Sequence, residues 1–485
     1  MRWCNYLHHL KILKGGIFMK KFDVAIIGDG ISGYMAAYEL SKKTNLSIAL
    51  IEQGNSIDNR ICPMISRNTN CLNCTPHCSI MNGFGGAGNF SDGKYNKTTE
   101  FGGWLNEYIS NEEVLDLINY VDGINVLYGA TNETFSTDTS EAKEIEKRAL
   151  QHDLHLLHAT VKHLGTENNL KILKKIYTYL SNKTGSCSNL DIMCNTKVEE
   201  INIQKDGYCL ILEKGENLES KYLIAAPGRS GAEWFSNQCK KNSIPLINNQ
   251  VDIGVRVELP AEIFEDITKN IYEAKLKYRT KKYGDIVRTF CMNPYGYVVA
   301  ENVDGLITVN GHSYADEKLR SGNTNFALLV SNRFTEPFNN PYQYGKSIAS
   351  FSNLLGNGVL VQRFGDLIEC KRTTHNRLSQ SFTKPTLLAE PGDLSLVLPK
   401  RHLDNIIEMI YAIDKLALGT ANADTLLYGV EVKFYSAKPE LSPHLETKYK
   451  NFFAIGDGAG VTRGLSQAGA SGILVAREIA KRQEN

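Results

Sequence analysis

Two groups of residues in this chain have the types and spacing to do chemistry. Gly28, Gly30 and Gly33 stand as G-x-G-x-x-G directly after the apolar run at residues 24–27. The first glycine permits a tight turn and the second lets backbone approach a pyrophosphate. The third lets a helix pack closely, its positive N-terminus facing the phosphates. A second apolar run, residues 47–51, ends in Glu52, placed where a carboxylate grips a ribose hydroxyl. Strand, glycines, helix, strand and terminal acid together are far more specific than the glycines alone.

The second group is Cys62, Cys71, Cys74 and Cys78, with Pro63 after the first and His77 before the last. Thiolates this close in a reducing compartment suit zinc or an iron–sulfur cluster, which need several soft anionic ligands converging. The spacing matches neither ferredoxin pattern, so free or exchanging thiols stand as the alternative. Single residues with acid–base or nucleophilic chemistry are Cys291 and His312, both in turn-adjacent strand-like runs, and His163 in the polar loop at 163–168. Each has a plainer reading: core cysteine, turn histidine, helix-capping loop. Arg256 and Arg288 have the fork that binds an anionic substrate, or pair with a carboxylate on the sheet.

The elements that must position these groups follow from periodicity. The 485 residues suggest two or three domains. After Glu52 comes an irregular stretch, 55–103, longer than an ordinary connector and so expected to be functional; it holds the cysteines and a small-residue segment at 83–94. Amphipathic helices are predicted from a capping box at Ser110 and Glu113, over 141–154 and over 168–180. Short strands follow at 197–211, then an apolar strand at 222–226 that stops at Pro227 and Gly228. From about residue 249, Ile253, Val255, Val257 and Leu259 alternate with polar residues, and 286–291, 297–300 and 306–309 are further strand-like runs. They predict an inserted antiparallel sheet, with a helix at 402–416. The last strand, 452–455, ends in Gly456 and Asp457 ahead of a closing helix. Gly-Asp followed by a helix N-terminus is how FAD-binding domains finish, with the aspartate free for ribityl hydroxyls. The opening turn alone admits NAD; joined to Gly456 and Asp457, it specifies FAD.

A formal charge of +1, 42% hydrophobic and 22% charged residues give no electrostatic reason to expect nucleic acid or an anionic membrane as partner. No apolar run approaches the ~20 residues of a membrane-spanning helix. Eleven cysteines, an odd number without a secretory leader, point to a reducing cytoplasm. Residues 14–19, Lys-Gly-Gly-Ile-Phe-Met, can be encoded by a purine-rich ribosome-binding sequence followed by a start codon, so the natural chain is expected to begin at Met19. Intact mass of natively expressed protein tests this.

At residues 84–96, 163–168, 226–234, 252–258, 288–296, 310–313, 426–436 and 456–468 the chain resembles the uncharacterised FAD-dependent dehydrogenases, distant relatives of geranylgeranyl-reductase and glutathione-reductase type flavoproteins. The resemblance implies an α/β fold: a Rossmann-like FAD-binding domain of the two-dinucleotide-binding type, with an inserted α+β substrate domain containing an antiparallel sheet. The expected division is 1–19 as an extension, 20–237 and 426–485 as the cofactor domain, and 238–425 as the substrate domain. Expected cofactor contacts are Gly28, Gly30, Ile31, Ser32, Gly33, Glu52, Gln53, Gly85, Gly86, Ala87, Gly88, Ser91, Asp92, Val198, Gly228, Arg229, Gly456, Asp457, Gly464, Leu465, Gln467 and Ala468. The expected activity is hydride or electron transfer between flavin and a small organic substrate. With one dinucleotide fingerprint in the chain, the electron donor is transiently docked NAD(P)H or a ferredoxin-like protein. Two other classes remain: an FAD-dependent RNA-modifying or group-transfer enzyme, and a flavin-binding sensor without turnover.

Overall fold

The apolar run ahead of the glycine turn becomes the centre of a sheet. In a computed structural model describing residues 19–484, apart from 64–65, 67–73, 214, 304, 315, 335–336, 339 and 357, strand Met19–Ile27 runs parallel to Ile48–Ile51 on one side and Asn217–Ala225 on the other. Leu190–Met193 extends the sheet beyond Ile48–Ile51, and Phe452–Ala454 lies parallel to the end of Asn217–Ala225. The opening and closing strands of the chain therefore share one sheet. Strands Val198–Gln204 and Gly207–Leu212 form the expected meander, antiparallel to the start of Asn217–Ala225. The parallel strands are apolar and buried over residues 24–27, 48–51 and 222–225, with helices Ile31–Lys43 and Leu465–Glu484 in the same core.

The capping box forms: Ser110 accepts the Glu113 N–H and Glu113 accepts the Ser110 N–H, starting helix Asn111–Leu127. Helix Thr166–Ser181 follows Gly165. The helix expected over 141–154 is Ser140–Leu150, because Leu154–Leu156 pairs with Leu276–Arg279 instead.

A second sheet of eight strands runs in the order Glu390–Pro391, Leu360–Arg363, Leu426–Phe434, Val251–Pro260, Asn323–Asn332, Ile286–Asn293, Leu276–Arg279, Leu154–Leu156. The last of these comes from the N-terminal side of the expected division at 237. Ile253, Val255, Val257 and Leu259 enter a core shared with helices Pro341–Gly356 and Lys400–Asp414. Asp252, Arg256 and Glu258 occupy the opposite face, as the two-residue period requires. The runs at 297–300 and 306–309 are not strands of this sheet. They pair with each other as a separate hairpin, Tyr297–Val303 with Leu306–His312. Among the described residues no helix is long and apolar enough to cross a membrane.

Candidate functional site

Three segments far apart in the chain meet at the carboxyl ends of the parallel strands, where ligands of open α/β sheets bind. The first is the glycine turn. Gly28 has φ +94°, and a Cβ there would stand 2.1 Å from the Ala226 carbonyl oxygen, so only glycine fits. A Cβ on Gly30 would meet nothing nearer than Gly86 Cα at 4.0 Å, which leaves its outer side open to a ligand. Helix Ile31–Lys43 starts at Gly30 with no side-chain cap and no acidic residue in its first turn, so its leading N–H groups and dipole are left for an anion.

The second segment is the small-residue loop, where Gly85 bridges Gly30. One side chain holds it. The Arg60 guanidinium is 6% exposed and donates to five carbonyls: Ser79 (3.0 Å), Ile80 (2.8 Å), Gly83 (3.2 Å), Phe84 (2.7 Å) and Gly86 (2.9 Å). Burial pushes its pKa down to about 10, against the pull of Asp29 and Glu52. The third segment is the closing motif. Thr462 donates to Asp457 at 2.7 Å, and Gln467 spans from the Leu105 N–H (3.2 Å) to the Phe101 carbonyl (3.3 Å).

Together they enclose one side of a cavity of about 900 Å³. Of the expected cofactor contacts, Gly28, Gly30, Ile31, Ser32, Glu52, Gln53, Gly85, Gly86, Ala87, Gly88, Ser91, Asp92, Gly228, Arg229, Asp457, Gly464, Leu465 and Ala468 line it. Gly33, Val198, Gly456 and Gln467 stand behind the lining. Val198 belongs to the meander's buried core and Gln467 to the interior of the closing helix. Glu52 lines the cavity while accepting N–H bonds from Gly54 (2.8 Å), Gly83 (2.9 Å) and Asp29 (3.3 Å), so much of its acceptor capacity fixes the loop. Asp29 is fully buried beside it; burial first, then the Glu52 charge, hold its carboxyl well above the usual carboxylate range.

The opposite wall is the polar face of the eight-stranded sheet. Arg288 pairs with Asp252 and donates to the Tyr435 hydroxyl at 2.6 Å; that hydroxyl donates to Asp252 at 2.6 Å. Lys275 pairs with Glu273 at 2.5 Å and lies over the rings of Phe101 and Phe290, at 4.6 and 4.7 Å. Lys433 pairs with Glu431 at 2.8 Å.

Cys291 lines this wall at a bulge where strand Ile286–Asn293 shifts register on Asn323–Asn332. Its φ is +45°, an uncommon conformation for a residue with a side chain. Its carbonyl accepts from Arg256 Nη1 and Asn293 Nδ2, both at 2.9 Å. Lys94, also in the wall, reaches the Met292 carbonyl (3.1 Å), Asn293 Oδ1 (3.2 Å) and Asp92 (3.2 Å). Burial disfavours its charge, but Asp92, Cys291 and Glu273 outweigh burial and hold its pKa well above the ordinary lysine value.

His312 is set back in the hairpin, its ring perpendicular to Tyr314 at 4.6 Å, and burial lowers its pKa. His163 is also outside the lining, stacked on Tyr272 at 4.8 Å, with burial taking its pKa down to about 4. Cys71 lies outside the described residues. Cys62 and Cys78 are half-buried and Cys74 exposed, and among the described residues no group of three or more His, Cys, Asp or Glu converges on one point. The expected zinc or cluster therefore finds no support there. Arg60, Lys94, Lys275, Lys433 and Tyr435 carry no motif that marks them in the sequence.

Residues 250–434 match the model of a family described as FAD-dependent protein, C-terminal domain-like. No curated protein matches the chain closely enough to count as a relative. Among solved structures the chain is similar to glycine oxidase from Geobacillus kaustophilus, 13% identical over 96% of this chain and 95% of that one, TM-score 0.39. L-proline dehydrogenase from P. horikoshii is 12% identical over 96% and 95%, TM-score 0.39. The E. coli quinol fumarate reductase subunit FrdA is 12% identical over 96% and 71%, TM-score 0.42.

Proposed function

We propose that the chain is an FAD-dependent oxidoreductase acting on a small organic molecule held against the polar face of the eight-stranded sheet. The observation that carries this is the pairing of an uncapped helix N-terminus, opened by Gly28 and Gly30, with Asp457 and the start of the closing helix around one cavity. The match of residues 250–434 to an FAD-dependent family supports it from the substrate side. The donor set fits the dinucleotide: backbone N–H groups of Ile31 and Ser32 suit the pyrophosphate, Glu52 the ribose, and Asp457 the ribityl chain. Bound there, the flavin supplies an acceptor and donor of hydride or single electrons at its N5.

The chain's own residues do the rest. Arg60 and Glu52 hold the small-residue loop against the glycine turn, so the cradle is fixed by the chain's own hydrogen bonds. Phe101, Trp104 and Phe290 exclude water from the far wall. Cys291, in the cavity wall beside Lys94, holds or gives a proton at Sγ. Reducing equivalents come from outside the chain, from transiently docked NAD(P)H or a ferredoxin-like donor. The reading divides the chain into a cofactor part, 20–237 with 426–485, and a substrate part, 238–425, whose sheet also takes in strands Leu154–Leu156 and Leu426–Phe434.

The test is anaerobic mixing of the FAD-loaded protein with NADH, NADPH and reduced ferredoxin while flavin absorbance is followed. Bleaching by at least one is expected; an oxidised spectrum after all three contradicts turnover.

A further inference from the structure

Four cations of the far wall are paired with acids, while Arg229, Lys277 and Arg463 line the cavity with no ion pair among the described residues. Lys94 has Asp92, Lys275 has Glu273, Arg288 has Asp252 and Lys433 has Glu431. The one side-chain hydrogen bond of Arg463 among the described residues runs from Nη1 to the Phe434 carbonyl, 2.8 Å. Its guanidinium lies over the Tyr435 ring at 4.7 Å, and Arg288 meets the same tyrosine at its hydroxyl. Arg288 Nε is also buried and without a hydrogen-bond partner among the described residues. One tyrosine thus separates two forks that both have donors to spare.

A guanidinium taken out of water without a counterion is costly, and natural sites supply the counterion. Burial above all, with repulsion from Arg229, weakens Arg463's hold on its proton, and Tyr435, Asp457 and Asp252 offset this only in part. The matching ligand group is a planar anion with two acceptor oxygens, since a guanidinium fork pairs with carboxylate through two parallel bonds. Phe101, Trp104 and Phe290 add aromatic area to the same lining, which suits a small carbon skeleton better than a hydrated phosphate.

We propose that Arg463 and Arg288, across Tyr435, form the site for the carboxylate of a small organic acid, which is the substrate of the flavin reaction. This rests on the flavin reading above and names the substrate class for it.

The experiment titrates the FAD-loaded protein with benzoate, succinate and inorganic phosphate, following flavin absorbance, with melting temperature read in parallel on protein with and without FAD. A saturable shift with benzoate or succinate is expected. Arg463→Gln should weaken it at least roughly tenfold with FAD content unchanged, and Arg463→Lys should fall between, keeping the charge without the fork. The proposal is overturned if neither acid moves the spectrum or the melting temperature. It is equally overturned if phosphate binds more tightly than both acids, or if Arg463→Gln binds them as wild type does. Loss of FAD from Arg463→Gln also overturns it, because the guanidinium would then serve the cofactor. Protein that takes up no FAD at all sinks the flavin reading instead, and the melting curves with the two acids, which need no flavin, still decide the carboxylate site.

Discussion

Arg256 and Glu431 meet as a two-point ion pair, Nε to Oε2 at 2.7 Å and Nη2 to Oε1 at 2.8 Å, with neither side chain reaching solvent. The same guanidinium donates to the Cys291 carbonyl and to Asn325, so the pair fixes the backbone at the bulge that presents Cys291 to the cavity. Glu431→Gln leaves Arg256 buried with its charge half answered. Removing one partner of such a pair costs about 3–5 kcal/mol, and urea unfolding should show a loss of that order. A change below about 1 kcal/mol, the range of exposed ion pairs, would mean that water reaches the pair.

Arg60→Gln removes the guanidinium that gathers five carbonyls of residues 79–86. The parallel sheet does not depend on it, so far-ultraviolet circular dichroism should be unchanged. FAD affinity should fall at least roughly tenfold, the equivalent of about 1.4 kcal/mol, with faster proteolysis within 79–86. Unchanged affinity would show that the loop keeps its form without the arginine.

Gly28 and Gly30 should separate folding from binding. Alanine at 28 requires φ +94° and collides with the Ala226 carbonyl, so Gly28→Ala should lower the melting temperature even without ligand. Gly30 has φ −59° and open space beyond it, so Gly30→Ala should melt as wild type does and lose FAD affinity alone. Equal FAD affinity for wild type and Gly30→Ala would place the ligand elsewhere.

Acid should destabilise the protein through His402, whose two ring nitrogens are buried without partners among the described residues and whose pKa is pushed down to about 4 by burial, against the pull of Asp285. The unfolded chain binds the proton near pH 6.5 and the folded one only near pH 4. Stability is therefore full above about pH 6.5 and is lost as pH falls toward 4. His163 has the same sign over the same window. In denaturant melts from pH 7 to 4, His402→Phe should flatten the fall in stability; an unaltered slope would assign it to other groups.

The cofactor half was legible because its signals are local. Gly28, Gly30 and Gly33 are forced by backbone geometry, and Gly456 with Asp457 ends a strand in a recognisable way. The substrate half was legible only as a pattern. The alternation at 252–259 marks a sheet with one apolar face, but whether Asp252, Arg256 and Glu258 meet water or one another depends on register with strands some seventy to one hundred and eighty positions away. Arg60 acts on carbonyls, which every residue has, so its partners leave no trace in the sequence. Arg463 lies inside the closing motif, where glycine and aspartate carry the signal and nothing marks an arginine as buried. His312 follows Asn310 and Gly311, a turn sequence that serves any hairpin, and a hairpin is where it sits.

The most direct measurement is the cofactor content of the purified chain, from the visible spectrum and from nucleotide released on heating, before and after incubation with FAD. A yellow protein saturating at one FAD per chain, with Gly30→Ala failing to saturate under the same conditions, is the expected result. A colourless protein that stays colourless in excess FAD contradicts the account.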